Sequence, residues 1–211
     1  MTLYAATSNP GKLAEFQSAA LAEGIAIEAL PGLRQIPEPV EDASTFQGNS
    51  DLKAIAYSLA VPGLLVFADD SGLELPALGN RPGVRSARFA DDLGFDLPSS
   101  NSPASSSADD RNNRCLLSLL DALPNPSRAA RFVCALALAR DGRILLRAHG
   151  AVEGQLLHHP RGSDGFGYDP LFLIPSLNLT LAELPREHKW QLSHRGNAFR
   201  SLLAQLRSVR L

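Results

Sequence analysis

Val66-Phe67-Ala68-Asp69-Asp70-Ser71-Gly72 is an apolar run that breaks off into two carboxylates, a hydroxyl and a glycine. With Gly63 to Leu65 before it, the run reads as a buried strand ending at Ala68. Open α/β sheets bind ligands just beyond the carboxyl ends of their strands, so chemistry is expected at this boundary. Successive side chains on an extended backbone point to opposite faces. One acid can therefore meet a ligand while the other braces it. A strand closed by an ordinary Asp/Ser/Gly turn has the same local sequence; the rest of the chain separates the two.

The composition admits a real core and excludes several partners. A chain of 211 residues, 45% hydrophobic and 20% charged, fits one globular domain or one domain of two lobes. A net charge of -2 provides no broad field for nucleic acid or an anionic membrane. No run approaches the ~18 apolar residues of a membrane span, and a basic-then-apolar export signal is missing from residues 1–20, so a soluble, cytoplasmic protein is expected. Cys115 and Cys134 lie in apolar surroundings and read as buried thiols. Of the 20 basic side chains only Lys12, Lys53 and Lys189 are lysines. Each marks a place where a compact charge on a flexible stem suits a phosphate.

Toward the N-terminus, Thr2 to Ala6 reads as a strand. Thr7-Ser8-Asn9-Pro10-Gly11-Lys12 then opens a helix carrying Leu13, Phe16 and Ala20 at helical spacing. Strand, small-residue loop, helix N-terminus and lysine form a phosphate cradle, with free backbone N–H groups facing an anion. Ile25 to Leu30 reads as a second strand. Ser44-Thr45-Phe46-Gln47 has the form of a capping box for a helix to about Leu59. On it Asn49 and Lys53 share one face, and Leu52, Ile55 and Leu59 define a core-seeking one.

Beyond Gly72 a short hairpin is expected around Gly79-Asn80, then a basic loop from Arg81 to Arg88. Asp91 to Asp110 is rich in Ser, Pro, Asn and Asp and reads as a flexible insertion, centred on about 95–108, with no chemistry of its own. A helix from Arg111 to Leu123 turns Cys115, Leu116, Leu119, Leu120 and Leu123 inward. Two strands follow, Phe132 to Ala139 and Ile144 to Val152, joined across Asp141-Gly142. Gly165-Phe166-Gly167-Tyr168-Asp169-Pro170 combines close backbone approach with a flat ring face. Ser193 caps a last helix whose first turn holds His194 and Arg195, cations at the unfavourable end of the helix dipole.

Taken together, in order and over nearly the whole chain, these stretches resemble the inosine triphosphate pyrophosphatase family. The resemblance rests on T-S-N-P-G-K at Thr7 to Lys12 and E-D-x-x-T-F-x-x-N-x-x-x-K-A from Glu41 to Ala54. It continues in A-D-D-S-G-L at Ala68 to Leu73, P-G-V-R-S-A-R at Pro82 to Arg88, G-F-G-Y-D-P at Gly165 to Pro170 and S-H-R-G at Ser193 to Gly196. It implies an α/β fold of two lobes, with an elongated mixed sheet flanked by helices and a central substrate groove, assembled as a homodimer. It also implies Mg²⁺-dependent hydrolysis of ITP, dITP or XTP to the monophosphate and pyrophosphate.

By the same resemblance Glu41 and Asp70 hold the metal, and Asp70 accepts the proton of the attacking water, supported by Asp69 and Lys53. Thr7, Ser8, Asn9, Pro10, Gly11, Lys12, Lys53 and Ser71 take the phosphates and ribose. Phe166, Gly167, Tyr168, Asp169, Lys189, His194 and Arg195 line the base end. Gly48 stands where relatives commonly carry an acid. Two other readings stay open at this point: a related pyrophosphatase preferring pyrimidine or modified nucleotides, and a nucleotide-binding protein without catalysis.

Overall fold

The computed structural model describes residues 1–21, 24–95 and 107–208. The chain divides into two compact units, Met1–Ser71 with Val133–Ala151 and Arg186–Leu211, and Gly72–Phe132 with Val152–Pro185.

In the first unit β1 (Thr2–Ala5) leads into α1 (Pro10–Leu21) and β2 (Ala26–Ala29). β1 pairs in parallel with β2, Leu3 opposite Ile27, and with the start of β3 (Val66–Leu75), Ala5 opposite Phe67. β5 (Ala129–Arg140) and β6 (Arg143–Leu156) are joined across Asp141 and Gly142, at φ 51° and 75°. Both residues of a type I′ turn need positive φ, so the expected hairpin is present. Hydrogen-bonded neighbours run β2-β1-β3-β5-β6.

Strand alternation sorts the core onto two faces. Phe67, Leu136 and Leu138 pack with Phe16 of α1 and with Phe199 and Leu202 of α6 (His194–Ser208). Val66, Ala68, Ala137 and Ala139 pack with Ala54 and Tyr57 of α2 (Phe46–Ala60). Phe16 meets Phe67 edge-on at 5.1 Å, an arrangement that aromatic quadrupoles favour, and Phe199 at a tilt at 5.3 Å. Leu202, Leu203 and Leu206 are buried as the helical spacing requires.

Three expectations for this unit are corrected. The strand does not end at Ala68: β3 runs straight through Asp69, Asp70, Ser71 and Gly72 to Leu75. Its acids are held mid-strand by neighbouring elements rather than released into a turn. On α2, Leu52 and Leu59 are exposed and Ile55 half-buried, while Asn49, Ser50, Ala54, Tyr57 and Ser58 are buried. The polar groups on this face have partners, for instance Ser58, whose Oγ accepts from Gly142 N at 3.0 Å and donates to the Ile55 carbonyl. Satisfied small polar residues let the helix approach the sheet more closely than leucines would. The cap of α2 is Thr45, accepting from Gly48 N at 3.0 Å, and not Ser44; Gln47 turns to Ser50 and Asp51.

The second unit holds β4 (Arg81–Pro82), antiparallel to the end of β3, and α3 (Phe89–Asp92). It also holds α4 (Ala108–Asp121), β7 (Phe172–Ile174) against β6, and β8 (Leu179–Thr180) against β7. Parallel and antiparallel pairings make the sheet mixed. Residues 81–88 are β4 and a 3-10 helix, Gly83–Arg88, rather than a loop. α4 starts three residues before Arg111, because Ser107 Oγ accepts from Asp110 N. Leu123 lies past its end and is exposed, and Leu119 is half-buried. The expected insertion falls, from 96 to 106, outside the described residues. Cys115 and Cys134 are buried free thiols. Among the described residues no helix is long and apolar enough to cross a membrane. α5 (Arg186–Leu192) returns the chain to the first unit.

Candidate active site

Asp69 and Asp70 follow the strand alternation onto opposite faces of β3. Asp69 takes the side of α1 and α6, where Lys12 Nζ lies 2.9 Å from its Oδ2 and Arg195 Nε 3.8 Å. Burial alone would push this carboxyl up; Lys12, Arg195 and Lys53 outweigh it and hold it at about 2. Ser71 Oγ donates to Asp69 at 3.3 Å and accepts from Arg195 at 3.0 Å. Asp69 is therefore a fixed negative charge among cations.

Asp70 takes the side of α2. Asn49 donates to its Oδ2 and Ser71 N–H to its Oδ1, each at 3.0 Å. Lys53 Nζ sits 3.8 Å from Asp70 and 3.0 Å from Glu41. Burial, together with the negative charges of Glu41 and Asp69, raises the Asp70 pKa against the opposing pull of Lys53 and Asn49. A carboxylate so adjusted is a better proton acceptor than an ordinary one. Lys53 loses by burial but gains more from Asp69, Asp70 and Glu41, which raise its pKa and keep it charged.

The two acids on α2's side converge on one cation, the Lys53 ammonium. Among the described residues no three His, Cys, Asp or Glu side chains gather as a closed metal cage. A pair of carboxylates suits Mg²⁺, which binds one or two of them and completes its shell with water and phosphate oxygens. Glu41 and Asp70 fit that requirement.

The N-terminal loop differs from its expectation in one respect. Asn9 Oδ1 accepts from Gly11 N at 2.8 Å and Lys12 N at 3.1 Å, and Thr7 Oγ1 accepts from Asn9 N at 3.2 Å. Asn9 thus caps α1, with Pro10 in the first helical position where its missing N–H costs nothing. Those two N–H groups are occupied rather than free. Lys12 remains the cation that the loop presents, and Ser8 is exposed.

Lys189, His194 and Arg195 join the same unit from α5 and α6. Ser193 Oγ accepts from Gly196 N at 3.1 Å, the cap that the sequence predicts. Glu15 of α1 lies 3.2 Å from Lys189 and 3.5 Å from Arg195. Burial and the cations Arg195, Lys189 and Lys12 push His194 well below its usual pKa, so it is neutral. Asp69 and Glu15 offset the Arg195 charge, which accounts for a cation in the first turn of a helix. Glu15 and Asn49 were not among the expected site residues. The cues were slight: Glu15 follows Lys12 by three positions on α1, and Asn49 precedes Lys53 by four on α2.

Phe166 to Asp169 belong to the second unit. There Tyr168 is a core side chain whose hydroxyl donates to the Ser86 carbonyl at 2.9 Å. Asp169, also buried, accepts from Phe166 N at 2.9 Å. Two of the four residues thus use their side chains to shape the loop.

A family model described as the Ham1 family matches residues 3–205. The chain is 52% identical over 206 residues to a dITP/XTP pyrophosphatase of Acidobacterium capsulatum, covering 98% of each. It is 45% identical over 203 residues to one of Nitratidesulfovibrio vulgaris, covering 96% of this chain and 94% of that one. A solved HAM1 protein from Coxiella burnetii has a TM-score of 0.81 at 34% identity, covering 99% of this chain and 100% of its own. The Staphylococcus aureus Ham1 protein has a TM-score of 0.78 at 33% identity, covering 99% of both. With a family model spanning nearly its whole length and full-length relatives above 40% identity, this chain belongs to the Ham1 family.

Proposed function

We propose that this protein hydrolyses non-standard purine nucleoside triphosphates, ITP, dITP and XTP, to the monophosphate and pyrophosphate. The observation that carries the reading is the convergence of Glu41, Asp70 and Lys53 beside Lys12 and Asp69. The relatives named dITP/XTP pyrophosphatases support the substrate class.

In this reading Glu41 and Asp70 hold a Mg²⁺ ion, which when bound polarises phosphoryl oxygens and offsets developing charge. Asp70 orients a water and takes its proton as the water oxygen bonds to the α-phosphorus and the bond to the pyrophosphate oxygen breaks. Lys12 and Lys53 neutralise the departing pyrophosphate. Asn49 holds Asp70 in place, and Asp69 positions Lys12 and Arg195.

Of the residues read as the base end, Phe166 supplies a ring face, the N–H groups of Phe166 and Gly167 being taken by Asp169 and Asp109, and Lys189 and Arg195 are donors. A 6-keto purine offers them an acceptor, whereas a 6-amino group would leave donors facing donors. Unpaired buried donors are costly, so keto is favoured over amino. Neutral His194 adds no charge of its own. Thr7 to Lys12 and Ser71 bind the phosphates and ribose, and the working form is a homodimer, which size-exclusion chromatography tests.

The deciding experiment is a panel of ITP, XTP, dUTP, UTP and GTP, counting pyrophosphate against orthophosphate, with Mg²⁺ and with EDTA. Pyrophosphate from ITP and XTP with Mg²⁺ alone is the expected result. Preference for dUTP or UTP, or binding without turnover, overturns it.

A further inference from the structure

We infer that Asp109 and Asn113 of α4 are positioning residues for the glycine-rich loop at Phe166–Asp169, and that selectivity for the base is set in part from this helix. The inference rests on the reading that this loop meets the base. The observation is a double clamp on one residue. Asp109 Oδ2 accepts from Gly167 N at 2.7 Å, and Asn113 Nδ2 donates to Gly167 O at 3.0 Å.

Both polar backbone groups of Gly167 are thus held by side chains one turn apart on a single helix face. Gly167 has φ +65° and nothing within 4 Å of where a Cβ would stand. It is the link in the loop least able to hold its own conformation. The two side chains supply what the glycine lacks.

The platform behind the clamp is firm. Buried Asn112 accepts from Ala90 N at 2.8 Å and donates to Ala87 O at 3.1 Å, and Arg111 pairs with Asp91 at 2.7 Å. Asp109 lies in the first turn of α4, where a carboxylate also favours the helix dipole. Asn113 shows that the contact has a cost. Its Oδ1 is buried with no hydrogen-bond partner among the described residues. The amide keeps this orientation because the reverse would set its oxygen against the Gly167 carbonyl. Leaving an acceptor unsatisfied is a local sacrifice of the kind found where function demands a geometry.

A loop pinned on both sides of Gly167 presents the ring of Phe166 in one arrangement before substrate arrives. Binding then costs less ordering, and an ill-fitting base meets a ring face that cannot move to suit it. Clamp loss should therefore weaken recognition of the base and leave the phosphate cluster of the first unit unchanged.

The test compares Asp109→Ala, Asn113→Leu and the conservative Asp109→Asn, which keeps an acceptor. Inhibition by inosine monophosphate reports the base end, and inhibition by pyrophosphate reports the phosphate cluster. For Asp109→Ala and Asn113→Leu we expect KM for ITP and the inosine monophosphate inhibition constant to rise roughly three- to tenfold. The kcat and the pyrophosphate inhibition constant should hold, and Asp109→Asn should recover most of the loss. Unchanged inosine monophosphate binding overturns the clamp. So does equal weakening of both inhibitors with a lowered melting temperature, since that is a purely structural role. Amide hydrogen exchange at Gly167 tests the clamp without turnover: faster exchange in Asp109→Ala supports it and unchanged exchange refutes it. If the unmutated protein releases no pyrophosphate from ITP, the functional reading falls instead.

Discussion

Asn49 donates to Oδ2 of Asp70 across 3.0 Å, and its own Oδ1 accepts from Ala43 N at the same distance. One buried amide therefore ties the segment bearing Glu41 to the strand bearing Asp70. Asn49→Ala strips a partner from each, at about 1–3 kcal/mol for a buried group left unpaired. The expected outcome is a higher Mg²⁺ concentration for half-maximal rate, with a smaller change in kcat at saturating metal. Mn²⁺ binding followed by electron paramagnetic resonance should weaken in parallel. An unaltered metal requirement would show that Asn49 does not position the pair.

Gly48 packs against Ala43 too closely to carry a side chain. A Cβ there would lie 2.6 Å from the Ala43 Cβ, nearer than two carbons approach. Gly48→Ala should push Ala43 outward, loosen the Glu41 segment and destabilise the fold by about 1–3 kcal/mol. Ala43→Gly in the same chain should restore most of that, because the clash is between the two methyl groups. A double-mutant cycle by urea denaturation reads the coupling, and simple additivity would contradict it.

Asp70→Asn is nearly isosteric and removes the group proposed as the proton acceptor. Turnover should fall by about 10²–10⁴-fold, while nucleotide affinity in calorimetry is retained. A near-normal rate would exclude Asp70 from this role.

His194 makes stability fall on the acid side. Its unfolded pKa is about 6.5, and in the folded chain it is pushed well below that. Below about pH 6.5 the unfolded chain binds a proton that the folded one refuses, so stability drops by up to about 1.4 kcal/mol per pH unit. Above that pH the residue contributes no slope. His194→Gln should show a smaller loss of urea midpoint between about pH 7.5 and 5 than the unmutated protein. Parallel losses would refute the assignment.

Gly196 admits no side chain. A Cβ would stand 1.8 Å from the Trp190 carbonyl oxygen and 3.1 Å from Arg200 Nη1. Gly196→Ala must shift the start of α6 and with it Arg195. Thermal melting should show a loss of about 1–3 kcal/mol or more, with activity falling further than stability alone explains. Wild-type melting would mean the turn yields without cost.

Much of the candidate site's local geometry was legible because it lies in contiguous motifs. Thr7 to Lys12, Asp69 to Ser71 and Ser193 to Gly196 carry residue types whose local geometry follows from their neighbours. The capped last helix and the Asp141-Gly142 hairpin were equally plain, since turn and cap chemistry acts over two to four residues. The inward face of α2 is not legible in the sequence, for the opposite reason. Hydrophobic spacing marks Leu52 and Leu59, but Asn49, Ser50 and Ser58 face inward because partners distant in the chain satisfy them.

By itself, the amino-acid sequence determined which chemistry is present: carboxylates on a buried strand, three lysines, a glycine-rich aromatic loop and the order in which they come. Only the tertiary structure decided which groups act on one another. That Lys12 answers Asp69 while Lys53 and Asn49 answer Asp70 depends on which helix packs on which face of β3. A strand's alternation puts neighbouring acids on opposite sides, and the elements covering each side come from far along the chain, so no local rule could have paired them.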